Sequence, residues 1–201
     1  MKNSLSNFWQ KKQFSIALFC LFALFFSYTL FLATNLQRGI IPDEPAHFIF
    51  SKHFADTWDI PQDTFDTYSH GWYIKQNPFL FYWINGRIIN FINLISSNIS
   101  DWQLLVALRI TNSLYALGTV IIVYLMSTEI IKSKWWRLLP VFMLTNTLMF
   151  VFLSGGVNYD NLAILFSNLG LYFFIRLFNQ KDFIKNSLGW MICISIGTLV
   201  K

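Results

Sequence analysis

Two adjacent carboxylates and a histidine form the segment with the clearest chemical potential. The segment reads Pro42-Asp43-Glu44-Pro45-Ala46-His47. His47 follows the two acids by four and three residues, which places all three side chains within one helical turn. A carboxylate that is partly desolvated near a membrane surface has its pKa raised toward the range of a general base. The segment is therefore a candidate site, with Asp43 and Glu44 as candidate catalytic residues and His47 as a possible proton partner and candidate substrate-binding residue.

The same segment also fits two other interpretations. Acidic residues directly before a proline at the first helical position are a common helix start and suit the helix dipole. The residues alone favour neither catalysis nor capping. Metal binding through Asp43 or Glu44 together with His47 is a third interpretation, but oxygen-rich sites need more ligands than this segment supplies. We therefore predict no metal ligands from this segment.

Further candidate residues lie much later in the chain. Arg109 stands near the start of an apolar run, where a charge is either functional or reaches the interface by snorkelling. Its planar guanidinium suits a phosphate or diphosphate headgroup. The turn Gly155-Gly156-Val157-Asn158-Tyr159-Asp160 adds Asn158 and Asp160 as candidate substrate-binding residues, although Asp160 fits equally well as a cap for the helix that follows.

The composition indicates an integral membrane protein. Hydrophobic residues make up 55% of the chain and charged residues only 12%, whereas soluble domains carry roughly 25% charged residues. The net charge of +5 does not indicate nucleic-acid binding, because the basic residues form no patch interleaved with aromatics. The two cysteines, Cys20 and Cys193, each lie in an apolar run and indicate neither a disulfide framework nor a metal site.

The apolar runs predict an all-α polytopic transmembrane helix bundle. A helix needs about 20 residues to cross the hydrocarbon core. Five runs approach this length, at about residues 14–34, 104–128, 138–157, 160–178 and 184–201. They leave residues 35–103, named the outer loop below, as the one long connection between spans.

The basic residues predict the orientation of the bundle, because Lys and Arg are enriched on the cytoplasmic side. If the five spans alternate, three basic clusters lie on the same side of the membrane: Lys2, Lys11 and Lys12; Lys132, Lys134 and Arg137; Arg176, Lys181 and Lys185. We therefore expect a cytoplasmic amino terminus, an extracytoplasmic outer loop and a location in the cell membrane.

The outer loop is predicted to carry two amphipathic surface helices. After Pro45, aromatic residues recur at helical spacing at Phe50, Phe54 and Trp58. After Pro78, the apolar residues Ile84, Ile88, Phe91 and Ile95 define one side of a helix, and Gly86, Asn90, Asn93 and Ser97 define the other. Such helices lie in the interface with the apolar side toward the lipid. The intervening residues 60–77 have the composition of irregular structure, and a passive membrane anchor is the alternative to a functional loop.

Taken in order, these segments resemble the amino-terminal part of the GT-C membrane glycosyltransferases, in particular the branch of protein O-mannosyltransferase-like and aminoarabinose-transferase-like enzymes. The resemblance lies in five segments: Asp43-Glu44-Pro45-Ala46-His47, Gln76-Asn77-Pro78-Phe79-Leu80-Phe81-Tyr82-Trp83, Leu108-Arg109-Ile110-Thr111-Asn112, Val157-Asn158-Tyr159-Asp160-Asn161 and Gly197-Thr198-Leu199-Val200-Lys201. Phe79 departs from the family pattern, which has a second proline there. The string from Asp43 to Phe48 is also similar to a family of bacterial multi-spanning proteins without an assigned function.

The resemblance implies transfer of a sugar from a polyprenyl-phosphate donor to an acceptor hydroxyl or lipid on the extracytoplasmic side. It implies that Asp43 is the general base, with inversion at the anomeric carbon, and that Glu44 orients Asp43 or the acceptor. Arg109 would neutralise the leaving phosphate, with His47 and Asp160 nearby. Branches of the superfamily differ in their need for a divalent metal, so the resemblance leaves a cofactor open. The partners that it implies are the lipid-linked donor, membrane lipids and an acceptor that is a lipid, glycan or protein.

Two other classes of function remain open at this stage. A transporter or lipid-flipping subunit would carry charged residues or broken helices near the bilayer midplane, and the sequence predicts neither. A non-catalytic assembly protein is the other alternative. Members of the resembled family have more spans than this chain, so we expect the chain to hold the catalytic loop without the whole donor-lipid groove.

Overall fold

A computed structural model describes residues 2–68, 73–96 and 98–201, with side chains from Lys12 onward except at 66 and 67. Within these residues the chain is helical and contains no strand, which confirms the predicted fold class. Nine α-helices are described, together with a short 3-10 helix at Ile74–Gln76: α1 (Lys2–Asn35), α2 (Glu44–Asp56), α3 (Phe65–Tyr68), α4 (Leu80–Ile95), α5 (Asp101–Ile130), α6 (Leu138–Thr145), α7 (Leu148–Ser154), α8 (Asp160–Phe178) and α9 (Phe183–Val200).

Four helices are long and apolar enough to cross a membrane. They are Lys12–Asn35 of α1 and the whole of α5, α8 and α9, and they coincide with four of the five predicted spans. α5 packs against α1 and against α8, and α8 pairs with α9 along its length. Asn35, Asp101, Asp160 and Val200 therefore lie at one end of the bundle, which we call the loop end.

The third predicted span, residues 138–157, is wrong as a continuous helix. The chain forms the two short helices α6 and α7 instead, separated at Asn146 and Thr147. Asn146 Nδ2 donates to the carbonyl of Phe142 at 2.8 Å, and Thr147 Oγ1 donates to that of Met143 at 2.9 Å. Polar side chains that bond to the backbone in this way compete with helix propagation.

The broken pair still follows the length of α1. Just before α6, the ring centroid of Trp135 lies 5.8 Å from that of Phe14 in α1. At its end, Gly155 lies against Leu32, because a Cβ on Gly155 would stand 2.6 Å from the Leu32 Cβ. α6 and α7 therefore connect the two ends of the bundle as a discontinuous crossing.

The end opposite the loop end is basic. Lys181 Nζ lies 2.6 Å from Glu129 Oε2, and Arg176 lies 3.9 Å from the same carboxylate. Ser133 and Lys134 are exposed there, in the connection between α5 and α6. The predicted basic clusters at residues 132–137 and 176–185 thus share one end of the bundle.

The two predicted surface helices are confirmed as α2 and α4, which pack on each other over the loop end. Phe50 and Phe54 of α2 are fully buried, but Trp58 lies beyond the end of α2 and is 72% exposed. Phe50 and Phe54 therefore belong to the hydrophobic core beneath α2. The Trp58 ring instead stacks on Arg87, whose guanidinium carbon lies 4.3 Å from the ring centroid.

The prediction for the faces of α4 needs correction. Gly86 and Asn90 were expected on an outward polar side, yet they pack against α2: Asn90 Nδ2 donates to the carbonyl of Ala55 at 2.9 Å. Gly86 has no side chain, so the α2 backbone approaches it closely. On the predicted apolar side, Phe91 and Ile95 are exposed, whereas Ile84 and Ile88 are half-buried against the core. Ser97 lies outside the described residues.

Candidate active site

Asp43 directly precedes α2, and its carboxylate is exposed. Its backbone is in the left-handed region, with φ 59° and ψ 0°, a conformation that is uncommon outside glycine and more accessible to Asp and Asn. The side chain is exposed and makes no capping hydrogen bond. Among the described residues the carboxylate has no hydrogen-bond or ion-pair partner. The capping interpretation therefore applies to the position of Asp43 and not to its side chain.

Glu44, the next residue, has the opposite environment. Its side chain is fully buried and forms a bidentate pair with Arg109, at 2.8 Å from Nε to Oε1 and 2.6 Å from Nη2 to Oε2. The backbone N–H of Val157 also donates to Oε1 at 3.1 Å. Glu44 therefore ties α2 to α5 and to the turn between α7 and α8.

The guanidinium of Arg109 is saturated by the protein. Besides its two bonds to Glu44, it donates to three carbonyls at the end of α1, those of Ala33 (3.3 Å), Leu36 (2.7 Å) and Gln37 (3.2 Å). An arginine has five N–H groups, and here each has an acceptor. The role expected for Arg109, neutralising a leaving phosphate, does not fit this geometry, because no N–H remains for the ligand.

His47 lies one turn after Asp43, at the buried base of the site. Its Nδ1 is 3.0 Å from the hydroxyl of Tyr82 in α4, and its ring meets the edge of Tyr159 at 4.9 Å between centroids. Burial lowers the pKa of His47 to about 4, against an opposing effect of the Asp160 carboxylate. Burial also raises the pKa of Tyr82, with smaller contributions from Tyr159 and the carboxylates of Asp43 and Asp160. The imidazole is therefore neutral at pH 7.

A second ion pair borders the same site. Lys201, directly after α9, places Nζ 2.6 Å from Asp160 Oδ1 and 5.2 Å from the centre of the Tyr159 ring. The hydrogen bond to Asp160 raises the pKa of Lys201. Asp160 is the first residue of α8, and its carboxylate binds Lys201. Among the described residues, the site thus combines the exposed carboxylate of Asp43 with the ion pair of Lys201 and Asp160.

Asn158, a predicted substrate-binding residue, has a structural role in this geometry. It is 3% exposed. Its Nδ2 donates to the carbonyl of Leu153 at 2.7 Å, and its Oδ1 accepts from the backbone N–H of Asn161 at 3.1 Å. Asn158 therefore joins the end of α7 to the start of α8 and keeps Val157 in reach of Glu44.

The described residues contain no group of three or more His, Cys, Asp or Glu side chains placed to hold a metal ion. The Asp160 carboxylate acts on His47 through charge, but Asp43, His47 and Asp160 do not form such a group.

Three contributors to the site were not predicted as functional residues. Tyr82, Tyr159 and Lys201 occur in the segments that resemble the GT-C family, but their types alone do not separate them from ordinary interfacial aromatics and a helix-end lysine. A signal was available in the alternation of the spans, which brings the starts of α5 and α8 and the end of α9 to the same membrane face.

The fold defines a polytopic helical membrane protein, and the candidate site lies at the loop end of its helix bundle. The chain belongs to the dolichyl-phosphate-mannose-protein mannosyltransferase family, whose family model matches residues 53–201, about three quarters of the chain. This confirms the expected GT-C relationship, and with it a family of membrane glycosyltransferases that use lipid-linked sugar donors. Asp43, Glu44 and His47 precede the matched residues. Comparison with curated proteins gives no match, and comparison with solved structures gives none either.

Proposed function

We propose that this chain carries the acceptor-activating face of an inverting glycosyltransferase, which moves a sugar from a polyprenyl-phosphate donor to an acceptor hydroxyl or lipid on the outer side of the cell membrane. The observation that carries the proposal is the pair Asp43 and Glu44. The Asp43 carboxylate is exposed and has no hydrogen-bond or ion-pair partner among the described residues, while the Glu44 carboxylate is fully buried and bound to Arg109.

In the proposed reaction the Asp43 carboxylate accepts the proton of the acceptor hydroxyl. The acceptor oxygen then attacks the anomeric carbon, and the bond between that carbon and the phosphate oxygen breaks. The electron pair leaves with the polyprenyl phosphate, and attack opposite the leaving group inverts the anomeric centre. General-base assistance of this kind typically contributes a factor of about 10² to 10⁴ in rate.

Glu44 acts in this proposal as a positioning residue for Asp43. Its bonds to Arg109 and Val157 fix the first residue of α2, so the preceding residue is held at the surface without any bond to its own carboxylate. This corresponds to the orienting role that the family resemblance implied for Glu44. The charge of the departing phosphate then has to be met by a cation other than Arg109.

The orientation of the bundle is part of the proposal. The loop end with Asp43 lies outside, and the basic end with Lys134 and Lys181 lies in the cytoplasm, in agreement with the enrichment of Lys and Arg on that side. A lipid-linked donor would keep its tail in the bilayer while its sugar reaches the carboxylate at the surface.

Replacement of Asp43 by Asn tests the catalytic role. Asn also tolerates the left-handed backbone, so Asp43→Asn should insert and fold normally while sugar transfer falls by about 10²-fold or more. Transfer would be measured in membranes with a polyprenyl-phosphate mannose donor. The matched control is Asp59→Asn, another exposed carboxylate of the outer loop. Undiminished transfer by a normally expressed Asp43→Asn protein would refute the assignment.

A transporter or lipid-flipping subunit is the second candidate, because the break between α6 and α7 is the kind of discontinuity that transport helices use. The cavity at the break is about 220 Å³ in volume, and its described lining, which includes Tyr28, Thr145 and Asn146, contains no charged residue. An Asn146→Leu variant distinguishes the two functions, since it should impair transport and leave sugar transfer unchanged.

A further inference from the structure

An apolar groove lies between α1 and α6 and begins at the basic end of the bundle. It has a volume of about 550 Å³, within the usual range of ligand sites, roughly 300 to 1,000 Å³. Its wall on α1 extends from Ala17 to Leu24, which is about 10 Å at 1.5 Å per residue. The hydrocarbon core of a bilayer is about 30 Å thick, so the groove lies within one leaflet.

Two tryptophans border the groove where it reaches the basic end. Trp135 and Trp136 lie in the connection between α5 and α6, line the groove and are 51% and 63% exposed. Tryptophan is enriched at the level of the lipid headgroups, because its ring suits the acyl chains and its N–H suits water. The two rings therefore mark the depth of the headgroups, and the rest of the groove lies at the depth of the acyl chains.

The same connection carries two exposed lysines, Lys132 and Lys134. Lys134 Nζ lies 4.4 Å from the ring centroid of Phe14, and Phe14 precedes Ala17 of the groove by about one helical turn. Neither ammonium has an ion-pair partner among the described residues. Each carries three N–H donors, so the mouth of the groove offers a positive charge and hydrogen bonds to an anion.

The backbone of this connection is held by both neighbouring helices. Arg137 Nε donates to the carbonyl of Ile131 at 2.8 Å, and Ser127 Oγ donates to the carbonyl of Arg137 at 3.1 Å. The Trp135 ring packs edge-on against Phe14 of α1. The connection is therefore ordered before a ligand binds, which lowers the entropic cost of binding.

We propose that the groove between α1 and α6 binds an anionic glycerophospholipid, with an acyl chain between the two helices and the phosphate on Lys132 and Lys134. Charge complementarity selects this occupant, because basic pockets between transmembrane helices bind anionic headgroups. The site lies at the end of the bundle opposite Asp43, so the inference is independent of the proposed sugar transfer.

Photolabelling with two matched lipids tests the site. The full chain would be reconstituted in phosphatidylcholine nanodiscs with a trace of phosphatidylglycerol or phosphatidylcholine that carries a diazirine in one acyl chain, and labelled peptides would be mapped by mass spectrometry. We expect the phosphatidylglycerol probe to label groove residues such as Leu21, Leu24 and Leu139 at least about fivefold more than the phosphatidylcholine probe does.

Two results of this experiment would overturn the inference. Equal labelling by both probes would show that the groove is an ordinary lipid contact without headgroup selection. Absence of groove labelling with either probe would show that protein and not lipid fills it.

Replacement of Lys134 tests the headgroup contact. Lys134→Gln should reduce labelling by the phosphatidylglycerol probe about fivefold, the effect of one lysine near an anionic headgroup, and Lys134→Arg should retain most of it. The matched control is Lys185→Gln, which removes the same charge at the basic end but from α9, a helix that packs on α8 and α4. Equal losses in Lys134→Gln and Lys185→Gln would reduce the effect to net charge and contradict the site.

Replacement of Ala17 tests the acyl-chain contact. Ala17 lines the groove, so the ring of Ala17→Phe should displace the chain and reduce labelling about tenfold, the effect of roughly two lost methylene contacts. The control is Ile16→Phe, at a position that is 52% exposed and does not line the groove; it should label as the parent does. Thermal unfolding in detergent verifies that both variants are folded. Undiminished labelling of folded Ala17→Phe would refute the placement of the chain.

Discussion

The carboxylate of Glu44 and the guanidinium of Arg109, 65 residues apart in the chain, meet through two hydrogen bonds of 2.8 and 2.6 Å, and neither side chain is exposed. Three backbone carbonyls at the end of α1 complete the shell of Arg109. The pair therefore joins the first crossing, the second crossing and the first surface helix at one point. Its position beside Asp43 makes it the scaffold of the candidate active site.

Removing one partner of this pair should destabilise the protein strongly. Glu44→Gln leaves the buried guanidinium without its counter-charge, and loss of one partner of a buried ion pair typically costs about 3 to 5 kcal/mol. Arg109→Lys should act in the same direction, since an ammonium cannot reproduce the five-donor fork. Thermal unfolding in detergent measures both effects.

The exposed pair of Lys52 and Asp101 is the control for that experiment. Its two side chains are 43% and 52% exposed at a distance of 2.9 Å. Lys52→Gln should change the free energy of unfolding by less than about 1 kcal/mol. If Glu44→Gln were as mild as Lys52→Gln, the pair of Glu44 and Arg109 would not be the scaffold that its burial indicates.

Acid should weaken the fold through His47. Its pKa is lowered from 6.5 to about 4 by burial, so the unfolded chain binds the proton before the folded chain does. Stability is therefore fully present above about pH 6.5 and falls as the pH drops toward 4, by about 3 kcal/mol at most.

Comparison with His47→Gln isolates this effect, because the two proteins differ in no other titratable group. The melting temperature of the parent should fall more steeply between pH 6.5 and 4 than that of the variant. Parallel curves over this window would show that His47 is not buried in its neutral form.

Gly86→Ala should loosen the two surface helices. A Cβ at Gly86 would stand 2.6 Å from the carbonyl carbon of Phe54 and 2.7 Å from its oxygen, and backbone cannot yield as a side chain can. Overpacking of this kind costs about 1 to 3 kcal/mol. Hydrogen exchange of the α2 amides should become faster.

Gly118→Ala is the matched substitution within a helix. There the new Cβ would lie 3.1 Å from Leu165 Cδ1, at the flexible end of a side chain. Exchange in α2 should stay as in the parent. Faster exchange in both variants would attribute the effect to glycine replacement in general and contradict the close α2–α4 contact.

Cysteine labelling tests the proposed orientation. In a background with Cys20 and Cys193 replaced by alanine, Asp59→Cys should react with a membrane-impermeant maleimide in intact cells. Ser133→Cys should react only after permeabilisation, because we place the basic end in the cytoplasm. Both positions are exposed, so the reverse labelling pattern would invert the orientation.

Hydropathy and local patterns predicted much of this architecture. The positions of α1, α5, α8 and α9 follow from apolar runs that are long enough to cross a bilayer. The start of α2 follows from Pro45 after the two acids, and its aromatic spacing follows from the helical period. Each of these features depends on residues that are close together in the sequence, so it can be predicted from local patterns.

The division of labour between Asp43 and Glu44 was not predictable in the same way. Two adjacent carboxylates have the same intrinsic chemistry, and only the distant Arg109 and Val157 decide which of them is buried. The break at Asn146 was missed for a different reason: the surrounding apolar run outweighs one amide in any hydropathy window. Lys201 was missed because its place in the site depends on its ion pair with Asp160, 41 residues earlier in the chain.

The contact between Glu44 and the N–H of Val157 joins residues 113 positions apart, which has a consequence for biosynthesis. At a synthesis rate of 5 to 20 residues per second, Val157 is made about 6 to 23 seconds after Glu44. Arg109 is made about 3 to 13 seconds after Glu44, so in the last part of this interval the Glu44 carboxylate has its arginine but still lacks the N–H of the α7–α8 turn. The surface helices α2 and α4 therefore cannot complete their packing until α6 and α7 have been inserted. Assembly of the site is a late event in membrane integration.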